Sequence, residues 1–210
     1  MLVNQFSPVK GVLREIVQSN VPLSFNQVHI IVALHLLSQP SPIGRYRLSD
    51  ELSVSGTTAR TILRRLQKHG FVSTAFKGMS QKGHVLTEKG KALSLQIETR
   101  AKIGREPLDL GPLTVGTVDA IVYVPAPWVR NDFNPLEARD SAVSVGADGC
   151  TVIHYGEKGL EVGDEVLSEA AIRKLPLDDL QPGDLVHVGT ADVFKVARLG
   201  AVAASLCSWK

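Results

Sequence analysis

The sequence predicts an α+β chain in two parts: an N-terminal winged helix-turn-helix, mostly helical with one β-hairpin wing, then a βαββαβα ferredoxin-like domain. Three observations predict it. Ser55 to Gly70 reads as one capped amphipathic helix whose polar face carries cations and hydroxyls but no carboxylate. A short helix precedes it and a basic, glycine-containing hairpin follows it, the order of a helix-turn-helix with a wing. Charge also divides along the chain: residues 1–105 hold 15 Lys+Arg against 5 Asp+Glu, whereas residues 106–210 hold 8 against 16.

In chain order, Ser7-Pro8 places a serine cap and a proline at the start of a helix that runs to about Ser19, with Val9, Val12, Leu13, Ile16 and Val17 on its apolar stripe. Ser24-Phe25-Asn26-Gln27 has the spacing of a capping box and predicts a second helix to about Ser38. Its apolar residues, Val28 to Leu37, cover more than one face, which makes it the core helix and a candidate for part of a dimer seam. His29 and His35 are six apart and share no face well enough to bind a metal together, so both are read as structural or partly exposed. Pro40 and Pro42 stop this helix. Tyr46 to Leu52 forms the first helix of the helix-turn-helix.

Ser55 then caps the recognition helix with a hydroxyl able to accept first-turn amide protons, and Gly70 ends it. Ala59, Ile62, Leu63 and Leu66 recur at i, i+3, i+4 and i+7 and face a core. Thr57, Arg60, Thr61, Arg64, Arg65 and Lys68 lie off that stripe. An exposed helix face ordinarily mixes both charge signs for i,i+4 pairing, and a basic face can be merely solvated. The flanking elements weigh against that reading. Phe71 to Phe76 alternates as a strand, Lys77 to Gly83 turns, and His84-Val85-Leu86 resumes, giving a wing with Lys77, Lys82 and His84 at or near its tip. A further helix follows Thr87 and ends near Lys102.

The run Arg64 to Gly78, RRLQKHGFVSTAFKG, with GHVLTEKGKAL at Gly83 to Leu93, resembles winged-helix transcription regulators. The expected partner is double-stranded DNA. Thr57, Thr58 and Arg60 near the front of the helix are candidates for base edges, with Ser55 and Thr61 beside them. Arg64, Arg65 and Lys68 are candidates for phosphates, and Lys77, Lys82 and His84 for the backbone or minor groove. A homodimer reading a pseudo-palindrome is the expected assembly.

The winged-helix domain is drawn at residues 1–103, a Gly/Pro-containing linker at 104–112, and the second domain at 113–210. In the second domain Val118 to Val124 is a β-branched strand, and Asn134-Pro135-Leu136-Glu137 is a cap, a proline and a returning glutamate that open a helix ending at Gly146. Cys150 to Tyr155 and Leu160 to Val162 form a hairpin. Ser168 to Leu175 is a short helix, Leu185 to Val188 a strand, and Thr190 to Ser205 the closing helix. Glu137 to Val143, EARDSAV, and Val145 to Ile153, VGADGCTVI, extend the resemblance to archaeal winged-helix proteins whose C-terminal domain has no established function. That resemblance implies a transcription regulator with an effector-binding or dimerisation domain, and transfers no catalytic residue. The barrel-like, glycine-rich pattern of riboflavin kinases, which another archaeal class joins to a winged helix, is absent.

Arg139, Asp140, His154, Thr190 and Asp192 are the candidates for binding a small-molecule effector, since Gly189 to Asp192 would place free backbone N–H groups at a helix start. No cofactor and no metal are expected: Cys150 and Cys207 have no CxxC partner or ligand spacing and are expected as reduced thiols. There is no nucleophile elbow and no phosphate-loop pattern, so no enzymatic activity is expected. With no apolar run long enough to span a bilayer and no signal-peptide pattern, a cytoplasmic location without membrane attachment is expected. The alternative is a metabolite-binding protein or enzyme whose winged helix makes protein contacts.

Overall fold

The computed structural model describes residues 9–77, 80–173, 175 and 180–210. The chain divides into two units, Met1–Glu98 and Thr99–Lys210.

In the first unit, α1 (Val9–Val17) buries Val9, Leu13 and Ile16, while the expected Ser7-Pro8 cap lies outside the described residues. Helix α2 (Gln27–Leu37) is buried on nearly every side. Its cap differs from the one expected. Asn26 is the N-cap: its Oδ1 accepts from Val28 N at 3.1 Å, and His29 Nδ1 lies 3.2 Å from the amide N–H of Asn26 that it receives. Ser24, two residues earlier, instead meets the Thr58 hydroxyl at 2.8 Å. Helix α3 (Arg45–Glu51) and α4 (Gly56–Lys68) are joined by a turn in which Ser53 has φ +52. The boundaries of α4 follow the sequence signals. Ser55 Oγ accepts from Thr58 N at 3.1 Å, and the helix closes over His69 and a left-handed Gly70.

Strands β1 (Val72–Lys77) and β2 (Ser80–Leu86) form the antiparallel wing, and α5 (Glu88–Arg100) follows. One pairing was not anticipated. Ile43, just after the prolines, exchanges both backbone hydrogen bonds with His84 at 3.0 and 2.9 Å, which fastens the wing to the segment entering α3. Gly83 permits it: its φ is +135, and a Cβ there would lie 2.8 Å from the Ile43 carbonyl.

The second unit is a six-stranded sheet ordered β3-β4-β8-β5-β6-β7, antiparallel throughout. The strands are β3 (Lys102–Ile103), β4 (Val118–Val124), β5 (Gly149–Gly156), β6 (Gly159–Val162), β7 (Glu165–Val166) and β8 (Leu185–Ala191). Helix α6 (Pro135–Ser144) links β4 to β5, α7 (Glu169–Ile172) follows β7, and α8 (Phe194–Ser208) closes the chain. Asn134 caps α6 as expected, its Oδ1 accepting from Leu136 N at 2.9 Å, but Glu137 turns to Arg130 rather than back to the cap. Strands β4 and β5 run parallel with β8 between them, a split βαβ unit. The ferredoxin-like order keeps its closing strand at an edge, so the topology differs from the one expected. The reason is burial. Every residue of β8 is buried, a state reached here with both edges paired and both faces covered.

Two layers cover the sheet. Ala138, Ala142, Ala147 and Ala204 pack with Phe133, Cys150 and Val152 on the face of α6 and α8. Small residues let α8 come close: a Cβ at Gly189 would sit 2.2 Å from the Ala197 carbonyl oxygen. The other face is closed by Leu110, Leu160, Leu167 and Leu175 over Ile121, Tyr123, Ile153, Val186 and Val188. The expected linker at 104–112 is therefore part of this core. Leu108 pairs with Asp119, and Leu110 is 1% exposed with its N–H donated to Asp119 Oδ2 at 2.8 Å. The closing helix begins at Phe194 rather than Thr190, because β8 continues through Ala191.

Candidate nucleic-acid interface

In the first unit, the entry to α3, the outward face of α4 and the wing enclose an open groove of about 550 Å3. Arg45 comes from α3; Arg60, Arg64 and Gln67 come from α4; Thr74, Gly83 and His84 come from the wing. Helical geometry explains the α4 contribution, since 60, 64 and 67 follow the i, i+4, i+7 spacing of one face. No carboxylate lines the groove, and none among the described residues pairs with Arg45, Arg60 or Arg64. Cations gathered without counter-charges raise the local positive potential and attract a polyanion.

The walls are held in register by their own hydrogen bonds. Gln67 Nε2 donates to Thr74 Oγ1 at 3.1 Å and ties the recognition helix to the wing. The Arg45 guanidinium lies over the Tyr46 ring, 4.5 Å from its centroid, and donates to the Tyr46 hydroxyl, although that residue is 71% exposed. Sequence reasoning missed Arg45 because the helix was started one residue late. Its signal was the basic GRYR run directly after the proline stop.

The predicted α4 set is divided by the fold. Thr57, Arg60, Arg64 and Lys68 are exposed, and Arg60 and Arg64 line the groove with half-buried His84. Half-buried Thr61 donates its hydroxyl to the Thr57 carbonyl at 3.1 Å. Thr58 is withdrawn from the candidate base contacts: it is 8% exposed, with hydroxyls of Ser24 and Ser55 at 2.8 and 2.9 Å. Ser55 serves as the cap in the same cluster. Arg65 is withdrawn from the phosphate contacts, since its Nη1 donates to the carbonyls of Ile16 and Gln18, both at 2.8 Å, over the Phe25 ring. The side chains of Lys77 and Lys82 lie outside the described residues.

The five candidate effector residues of the second unit do not converge. Arg139 and Asp140 are exposed on α6. Thr190 is 1% exposed and lies on the opposite face of the sheet in register with Asp119, its Oγ1 accepting from Gly116 N at 2.9 Å. Thr190 and Ala191 belong to β8, so the proposed anion-binding helix start at 189–192 does not exist. Asp192 and His154 are exposed. Burial pushes the Cys150 thiol up to about 12, with Cys207 nearby adding to the rise, which favours the protonated thiol.

Each unit matches one family. Residues 28–92 match the PH0730-like N-terminal domain, and residues 115–208 match DUF4443, a domain of unknown function. The chain is similar to a solved structure of the hypothetical protein PH0730 from Pyrococcus horikoshii OT3, with TM-score 0.65 and 22% identity over 85% of this chain and 90% of that one. This is a likeness of fold. Partial matches include a MarR family protein of Mycobacterium tuberculosis, Rv2887, in complex with p-aminosalicylic acid (30% identity, 43% of this chain and 69% of that one, TM-score 0.32). The same protein in complex with DNA matches at 28% identity, over 43% and 67%, with TM-score 0.30. At TM-scores this low neither likeness bears on what the chain does. No curated protein matches. Among the described residues no helix is long and apolar enough to cross a membrane, and no cluster of His, Cys, Asp or Glu could hold a metal ion.

Proposed function

We propose that the chain is a sequence-specific DNA-binding transcription regulator that acts as a homodimer, with the exposed face of α4 in the major groove and the wing on the backbone. The observation that carries this is the groove itself: Arg45, Arg60, Arg64 and His84 converge from three elements with no carboxylate among them. In this reading Arg60, with Thr57 nearer the helix start, reads base edges, since a guanidinium can bind guanine O6 and N7 at once. Arg64, Lys68 and Arg45 position the protein on phosphates. The second unit serves assembly or binds a small-molecule effector, its acidic balance unsuited to a phosphate backbone.

The test is a gel shift of the full chain on genomic fragments at two salt concentrations. Retention of a subset of fragments, with affinity falling steeply as salt rises, is the expected result. Equal retention of all fragments contradicts sequence reading, and no retention at low salt contradicts DNA binding altogether. Thermal shifts against nucleotides, amino acids and cofactors test the effector role of the second unit.

A further inference from the structure

A second groove of the first unit, about 460 Å3, opens on the side of α5 and is mostly apolar, with Pro40, Val85 and the 64% exposed Leu95 among its walls. The outward stripe of α5 along it is Lys91, Ser94, Leu95 and Glu98, all exposed except half-buried Ser94. A large apolar side chain is thus flanked by one cation and one anion two helical turns apart.

We infer that this stripe is the interface with a second copy of the chain, two α5 helices crossing antiparallel about a two-fold axis that passes between Ser94 and Leu95. A two-fold interface must be self-complementary: a residue on one side of the axis meets whatever lies as far away on the other. Positions 91 and 98 are equidistant from the midpoint between 94 and 95. Lys91 therefore meets the partner's Glu98, Glu98 meets the partner's Lys91, and Leu95 packs at the centre. Parallel alignment would set Lys91 against a second Lys91, so the charges choose the antiparallel one. The pairing of Lys91 with Glu88 at 2.7 Å does not compete strongly, because the two side chains are 62% and 90% exposed and solvent-screened. This inference supplies the interface for the homodimer of the preceding section, but it is tested without DNA.

The experiment is sedimentation equilibrium of the full chain, wild type against Lys91→Glu, Glu98→Lys and the double charge swap. The wild type is expected at twice the 22.6 kDa chain mass. Each single swap turns two attractive contacts into two repulsive ones and should weaken self-association about tenfold or more, whereas the double swap should return it to within about threefold of wild type. That reversal separates a charge effect from a folding defect. Leu95→Glu should give a folded monomer whose melting temperature, unlike that of the wild type, does not rise with protein concentration. A monomeric wild type, single swaps without effect, or a double swap no better than its parents overturns the inference. A monomer that still binds duplex leaves the DNA reading standing, and a charge-reversible dimer that binds no duplex does the opposite.

Discussion

Arg65 Nη1 donates to the carbonyl oxygen of Ile16 at 2.8 Å, although 49 residues separate the two in the chain. The same nitrogen reaches Gln18 O, so one guanidinium caps the C-terminal end of α1 and fixes it to the recognition helix. Beside it His69, the C-cap of α4, stands 3.6 Å from Glu15 of α1. Arg65→Ala is expected to lower stability by about 2 kcal/mol, the scale of hydrogen bonds that involve a charged group. It should leave the salt slope of DNA binding unchanged. A denaturant titration and a salt series read the two quantities separately.

Arg60→Ala should cost roughly 1–3 kcal/mol at the preferred site and relax selection at one base position, while Arg64→Ala should weaken all duplexes alike and reduce the salt slope by about one. Selection of bound duplexes from a random pool distinguishes them. An unchanged preference in Arg60→Ala removes Arg60 from the base-reading set.

Gly83→Ala forces a Cβ to within 2.8 Å of the Ile43 carbonyl at a backbone φ of +135. The strain, about 1–3 kcal/mol, should break the Ile43–His84 pairing and free the wing. Hydrogen exchange at the amides of Ile43 and His84 should quicken while α2 stays protected.

His187 is fully buried between α8 and Phe133, its Nε2 3.0 Å from Ser208 Oγ and the Phe133 ring edge-on at 5.6 Å. Burial lowers its pKa from 6.5 to about 3. Below pH 6.5 the unfolded chain takes up a proton that the folded chain refuses, so stability is full above that pH. The contribution of His187 falls by roughly 1 kcal/mol per pH unit between 6.5 and about 3. Chemical denaturation across that range should show stability falling more steeply with decreasing pH in the wild type than in His187→Leu.

Asp184, 2% exposed, accepts from the Tyr123 hydroxyl and Gln181 N at 2.6 Å and from Ala126 N at 2.8 Å. Asp184→Ala removes the acceptor that the buried Tyr123 hydroxyl and two partly buried backbone N–H groups share, and should cost about 2–4 kcal/mol in thermal or denaturant melts.

The winged helix was legible because its signals are local. Ser55, the 59-62-63-66 stripe and Gly70 fix α4 within sixteen residues of sequence. Thr58 and Arg65 were misassigned because they flank that stripe, seven positions apart, and their partners Ser24, Ile16 and Gln18 come from distant parts of the chain. Local period says which side of a helix is apolar and nothing about which polar residue at its margin finds a carbonyl. Strand order in the second unit is likewise set by non-local pairing. The near-continuous apolar run LVHVGTA was the available sign that β8 is central. Leu108 and Leu110 were hidden by the prolines and glycine around them, which read as a linker.

Whether the groove of α3, α4 and the wing holds a nucleic-acid duplex is read from the affinity of the full chain for duplex DNA across a salt series. With Arg45, Arg64 and Lys68 on phosphates and Arg60 on a base, log K should fall against log salt with a slope of about −3 or steeper, and each phosphate-binding cation removed should flatten it by about one. Affinity that does not change with salt, or an identical slope after Arg60 and Arg64 are both replaced by alanine, would contradict it.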